Sequence, residues 1–190
     1  MTTHSDRTPK QRLLPALGLA ITGCLMLSSA AHAFDEEAVT RLLNTGACPG
    51  CDLSHADLRR YDLSGVNLSG ANLDNANFYL ANLSDADLSG ANLTDAYLFK
   101  VTAIGINLNG AQLNQATVYD SDFTGASFEG TLFGQAYVED SLFQNAVLEL
   151  ADLSNAILVD SNFNGAVLCG AELAYGDYRT NCPVSSDLLE

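Results

Sequence analysis

The residues of this chain best equipped for chemistry are its cysteines. Cys48-Pro49-Gly50-Cys51 has the spacing of a dithiol–disulfide couple, in which a thiolate attacks a disulfide sulfur. Pairs of that kind stand at a helix start in a strand–helix–strand setting, which is absent around this one. The same spacing serves a local structural bridge or a pair of buried thiols. Cys169 and Cys182 are 13 residues apart near the C-terminus. A bridge between them would staple that end of the chain, worth roughly 3 kcal/mol in the chain-entropy model. His55 lacks a cysteine or histidine at ligand spacing and reads as a surface residue, so no metal site is expected there. Serines are plentiful, but His55 is the only histidine after residue 33 to activate one. No phosphate-cradling loop is present either. The expectation is a protein with no catalytic residue and no cofactor.

Disulfides need an oxidising compartment, and the N-terminus reads as an export signal. Arg7, Lys10 and Arg12 precede an apolar stretch from Leu13 to Leu27, interrupted by Pro15. Ala31-His32-Ala33 then places small residues where a signal peptidase reads. The stretch falls short of the roughly 20 residues of a membrane span, so no transmembrane segment is expected. Residues 1–33 are therefore predicted to be a signal peptide cleaved before Phe34. No twin-arginine pair precedes the apolar run, which points to export of the unfolded chain. A competing reading takes Ile21-Thr22-Gly23-Cys24 as a lipobox with the lipid on Cys24. Leu25-Met26-Leu27 would be unusually apolar for the residues after a lipidated cysteine.

The elements that must position these residues are set by a short repeat. From Cys51 onward the fifth position is a bulky apolar residue: Leu53, Leu58, Leu63, Leu68, Leu73, Phe78 and so on to Leu173 and Tyr178. Two places earlier the residue is usually small, as at Ala56, Ala71, Ala76 and Ala171. Residues 51–180 hold 26 pentapeptides of the form A-(D/N)-L-x-x. Period five fits neither a helix nor a straight strand. Glycines at 65, 105, 125 and 165, and at 70, 90, 110, 130 and 170, recur at multiples of 20 within each set. Four pentapeptides therefore make one lap, with glycine favoured at two corners. The coil is expected to run 6.5 laps and roughly 31 Å.

Residues 20 apart stack, so the interior can be read in columns. Phe123, Phe143 and Phe163 share one, and Ser121, Ser141 and Ser161 two places earlier leave room for the rings. Val101 and Ile106 flank Ala103 and refill its lost volume. Ahead of the bulky residue Asp57, Asp62 and Asp87 interchange with Asn67, Asn72 and Asn82, which indicates hydrogen bonding near turns and not carboxylate catalysis. Before the coil, Asp35 is a helix N-cap followed by Glu36 and Glu37. Val39, Leu42 and Leu43 form an apolar face that lids the first lap, and Gly46 ends the helix. Residues 34–50 thus form a capping helix and turn, and residues 181–190 a C-terminal tail in which Leu188 and Leu189 cover the other end.

This pattern strongly resembles the pentapeptide-repeat proteins, over 130 of the 190 residues. Cys48-Pro49-Gly50-Cys51-Asp52-Leu53, leading from the amphipathic segment into the first lap, resembles exported cyanobacterial members. The resemblance implies an all-β fold, a right-handed quadrilateral β-helix with a short N-terminal capping helix. It implies no shared chemistry.

Function is then expected on the outward faces, and one differs from the rest. Tyr79, Phe99 and Tyr119 share a column, and Tyr97, Tyr137 and Ile157 share the next. Such a strip suits docking of a protein, while cross-strand stacking within the coil explains it without any partner. The same face carries Asp120, Asp140 and Asp160 in register, after Lys100. Stacked carboxylates would hold a hard cation such as Ca²⁺, or simply stand solvated and salt-screened.

With 23 acids against 8 bases the net charge is -15, and it becomes -17 after cleavage before Phe34. That balance excludes a nucleic-acid partner, and 47% hydrophobic residues exclude wholesale disorder. The leading expectation is an exported, non-catalytic scaffold that presents its faces to an unidentified protein partner, with a homodimer open. Its compartment is the periplasm, or the thylakoid lumen in a cyanobacterium. The alternative is a DNA mimic that occupies a topoisomerase-like protein, as some pentapeptide-repeat proteins do. The acidic coil agrees with that alternative and the signal peptide opposes it.

Overall fold

The computed structural model describes residues 35–173. Helix α1 (Glu36–Thr45) opens the described region. The Asp35 side chain accepts from the backbone N–H of Glu37 and Ala38, and Gly46 closes the helix in a left-handed conformation (φ 70°). Ala38 and Leu42 are buried and Val39 is partly so, which seats this face on the core. Leu43, expected on the same face, is 44% exposed. A step of about 100° per residue carries it past the edge of the stripe, and Ala38, one turn before Leu42, takes its place.

The coil that follows is a right-handed quadrilateral β-helix. Residue i pairs in parallel with residue i+20: Asp52 with Asn72, Asp57 with Asn77, Asp62 with Asn82, Asn67 with Asp87. A typical rung joins Leu53 N–H to the Asn72 carbonyl (2.7 Å) and Asn72 N–H to the Cys51 carbonyl (2.8 Å). On most sides one residue per pentapeptide joins the ladder, because a turn follows at once; Ala56 N–H donates to the Leu53 carbonyl (3.1 Å) to close one. Among the described residues, three-residue strands occur on one side only: β1 (Tyr97–Phe99), β2 (Thr117–Tyr119), β3 (Tyr137–Glu139) and β5 (Ile157–Val159) form a parallel sheet in that order. On another side β4 (Asp152–Leu153) pairs with β6 (Glu172–Leu173).

The two inward positions of each pentapeptide fall where the repeat puts them. Leu53, Leu58, Leu68, Leu73, Phe78 and Leu83 are fully buried, as are Ala56, Ala71 and Ala76. Val101, Ala103 and Ile106 are all buried, so larger neighbours do fill in around the alanine. Phe143 stacks on Phe123 (5.3 Å) and Phe163 (4.7 Å), and Phe128 packs against both Phe123 and Phe143 at 5.5 Å. Toward the end of the described coil Leu158, Phe163, Leu168 and Leu173 are only partly buried.

Pairing starts at Ala47, which bridges Asn67, four residues before the sequence pattern becomes legible. Cys48 fills the bulky position of that first side and Cys51 the next small one. Leu188, Leu189 and Cys182 lie outside the described residues.

Candidate functional site

The sheet of β1, β2, β3 and β5 brings together every residue of the aromatic strip that lies on it. Registers run Tyr97–Thr117–Tyr137–Ile157 and Phe99–Tyr119–Glu139–Val159, and Asn77 bridges to Tyr97 one rung earlier. Phe99 stacks on Tyr119 at 4.8 Å and meets Tyr79 at 5.5 Å. Tyr79, Phe99 and Tyr119 are half-buried by this stacking, whereas Tyr97 is 51% and Ile157 56% exposed. Tyr137, also exposed, donates its hydroxyl to Glu139 (2.7 Å). That bond, with burial and the Glu139 charge, holds its phenol above the ordinary value of 10.0. The charge of Asp140 raises Tyr119 in the same way, reinforced by burial and by Glu139. One column carries contact between rings, and the other offers open apolar surface.

This side is flat because its corners are built differently. Val101 N–H does not close a turn onto its own side; it donates to Ser121 Oγ one lap on (2.9 Å). Ser121 N–H donates to Ser141 Oγ (3.2 Å), and Ser141 N–H to Ser161 Oγ (3.3 Å). The Ser141 hydroxyl donates to the Glu139 carbonyl and that of Ser161 to the Val159 carbonyl. Ser121 and Ser141 are buried, and their hydroxyls satisfy backbone groups that a turn would otherwise pair. In the sequence alone these serines read as space for the phenylalanines. Their hydrogen-bonding role was missed, although three consecutive serines in one column are its signal.

Asp120, Asp140 and Asp160 stand at the left-handed corner of three successive laps (φ 49°, 50° and 46°). Asp tolerates this conformation better than most residues, which accounts for a carboxylate at each. Lys100 Nζ lies 3.1 Å from Asp120, and this pairing raises the Lys100 pKa. No group of three or more His, Cys, Asp or Glu side chains suited to a metal ion occurs among the described residues. Arg59 and Arg60 also fall on this side, one rung before Tyr79, where they line a shallow depression of about 460 Å³ with Asp57 and Tyr61. The Arg59 guanidinium grips Asp57 and holds that carboxyl below its usual range.

Several acids elsewhere are occupied locally. Asp52, Asp62, Asp87 and Asp152 each accept from the backbone N–H two residues on. Asn72, Asn82 and Asn107 donate side-chain N–H groups to Asp52, Asp62 and Asp87 one lap earlier, at 3.0 Å each. The interchange of Asp and Asn is thus a ladder of acceptors and donors. His55 occupies an exposed left-handed corner beside Asp52 (φ 59°). Cys48 and Cys51 form a disulfide (Sγ–Sγ 1.95 Å) across a single turn, both buried. Arg41 Nη2 sits 2.9 Å from the Cys51 sulfur. The pair follows the C-terminus of α1, not a helix N-terminus that would stabilise a thiolate. Cys169 is disulfide-bonded as well; Cys182 lies outside the described residues.

Comparison with known proteins decides the family. The model of pentapeptide repeats matches in eight copies, over 51–90, 62–98, 91–130, 132–168 and 146–177. The chain belongs to the pentapeptide-repeat family. This pentapeptide-repeat protein is similar to solved structures of the same fold. HetL of the cyanobacterium Nostoc sp. strain PCC 7120, a protein involved in heterocyst differentiation regulation, is 27% identical over 69% of this chain and 71% of its own, with a TM-score of 0.35. A pentapeptide repeat protein of the Arabidopsis thaliana thylakoid lumen is 27% identical over 55% of this chain and 70% of its own (TM-score 0.30). QnrB1, a plasmid-mediated fluoroquinolone resistance protein, is 23% identical over 67% and 79% (TM-score 0.35). No curated protein matches. No helix among the described residues is long and apolar enough to cross a membrane.

Proposed function

We propose that this protein is an exported, non-catalytic scaffold that docks a protein partner on the sheet face of β1, β2, β3 and β5. The observation that carries the reading is the row Tyr97, Tyr137 and Ile157, in register and open to solvent beside a column of stacked rings. An exposed aromatic and apolar strip on a rigid sheet is the composition of an interface core. Compartment rests on the N-terminal signal and the paired cysteines: the periplasm, or the lumen in a cell with thylakoids. Fractionation with sequencing of the mature amino terminus tests export, and the expected terminus is Phe34. An uncleaved cytoplasmic chain would overturn it. Cross-linking in the native compartment tests the face: Phe99→Asp should lose partners that wild type captures, and an unchanged set counts against this surface.

A mimic of DNA is less well supported. The carboxylates of Asp52, Asp57, Asp62 and Asp87 are committed to turns of their own chain, and Arg59, Arg60 and Lys100 interrupt the acidic surface.

A further inference from the structure

The aromatic face carries a charge gradient along the coil. Its bases, Arg59, Arg60 and Lys100, stand on the first three rungs of the side; Asp120, Glu139, Asp140 and Asp160 stand on the last three. Asp57 on the first rung is neutralised by Arg59, and Lys100 reaches Asp120. Arg60 has no ion-pair partner among the described residues, and neither Asp140 nor Asp160 has a basic one there. One end of a flat strip is left cationic, the other anionic, with tyrosine and phenylalanine between.

We propose that this face binds a second copy of the same chain, face to face and antiparallel. The proposal rests on reading the face as a protein-docking surface and names its occupant. A two-fold axis parallel to the strands, passing between the rungs of Lys100 and Asp120, keeps each column over itself and reverses the order of rungs. Arg60 then meets the partner's Asp160, and Lys100 meets the partner's Asp120. Tyr79 lies over the partner's Glu139, where its hydroxyl donates to the carboxylate, and Phe99 lies over the partner's Tyr119. Each contact occurs twice, as an isologous interface requires. A parallel arrangement sets cationic rung on cationic rung and anionic on anionic, so charge alone selects the antiparallel one. The strip spans roughly 24 Å from first rung to last and is one side of the coil wide. That is small for a permanent dimer, so association depends on concentration and salt.

Sedimentation equilibrium of the mature protein, beginning at Phe34, tests this. Wild type should dimerise reversibly at low ionic strength and become monomeric near about 1 M salt, where charges are screened within roughly 3 Å. Arg60→Asp alone and Asp160→Arg alone should each weaken the dimer at least about tenfold by placing like charges in contact. Mixed one to one, the two variants should recover it as a heterodimer, because one contact is then the native pair and the other its reversal, and both are attractive. The mixture also guards against misfolding, since an unfolded variant would rescue nothing while the salt dependence of wild type still decides. A wild type that stays monomeric at every concentration, or a dimer indifferent to salt and to both reversals, overturns the proposal. A monomer whose Phe99→Asp variant nevertheless loses cross-links to a different protein overturns self-association and leaves the docking face standing.

Discussion

The hydroxyl of Ser121 accepts the Val101 N–H from inside the protein, and its own proton is shared out to the Leu98 or Tyr119 carbonyl. Ser121→Ala removes that acceptor and strands a buried N–H. Denaturant unfolding should show a loss of about 1–3 kcal/mol. The period of five made the interior columns legible, because size and apolarity alone decide them. The serine chain was not, because a small polar residue beside a large ring satisfies the packing pattern whether or not its hydroxyl bonds. Electrostatics at the surface gives a second prediction at this scale. Asp140 is the first cause of the raised Tyr119 phenol. A group whose folded pKa is raised adds its stabilisation fully below the unfolded value near 10 and loses it as pH climbs through the folded one. Ultraviolet titration of Asp140→Asn should therefore find Tyr119 ionising at lower pH than in wild type.

At the scale of elements, α1 turns a repetitive coil into a chain with a defined start. Its buried pair, Ala38 and Leu42, covers apolar residues of the first lap, and its cap at Asp35 pairs N–H groups that begin the helix. Leu42→Ala should destabilise by about 2–5 kcal/mol, and hydrogen exchange should report the loss first in the rungs at Cys48 and Leu53. The helix was readable from Asp35, the acids of its first turn and Gly46, whereas the rotation of its buried face was not. Leu43 looks like core in a sequence and points outward, because only the seating on the first lap sets that angle. Corners show the same division. Glycine marked two of the four, yet His55, Arg60, Leu80 and Lys100 also adopt positive φ. At those four residues lap closure overrides the residue's own preference, whereas Asp120, Asp140 and Asp160, later in the column of Arg60, suit the conformation.

The whole coil behaves as a stack in which each lap touches only its neighbours. Deleting residues 87–106 removes one lap and restores every later residue to its own side, with Leu108 where Leu88 stood. Circular dichroism should still report the β-helix, and the denaturant slope should fall with the area lost. Deleting only residues 87–91 keeps the repeat but turns everything after it by one side. Such a variant should fold and yet part Tyr79 from Phe99, abolishing the salt-dependent association that wild type is expected to show. The surface design is thus separable from the core that carries it. Little of that surface could be read from the sequence, because its meaning lies in which residues sit 20 apart and facing the same way.

Laddering between residues 20 apart also fixes how the molecule would yield to a pulling force. Each lap adds only about 4.8 Å to the length of the stack but stores 20 residues, close to 70 Å of fully extended chain. An optical trap drawing on the C-terminal side should see the coil unreel in discrete increments near that length, starting from the laps around Leu158 and Phe163 whose interiors are least enclosed. The folded thread would then act as a spool, yielding many times its own height before the helix at the far end is reached.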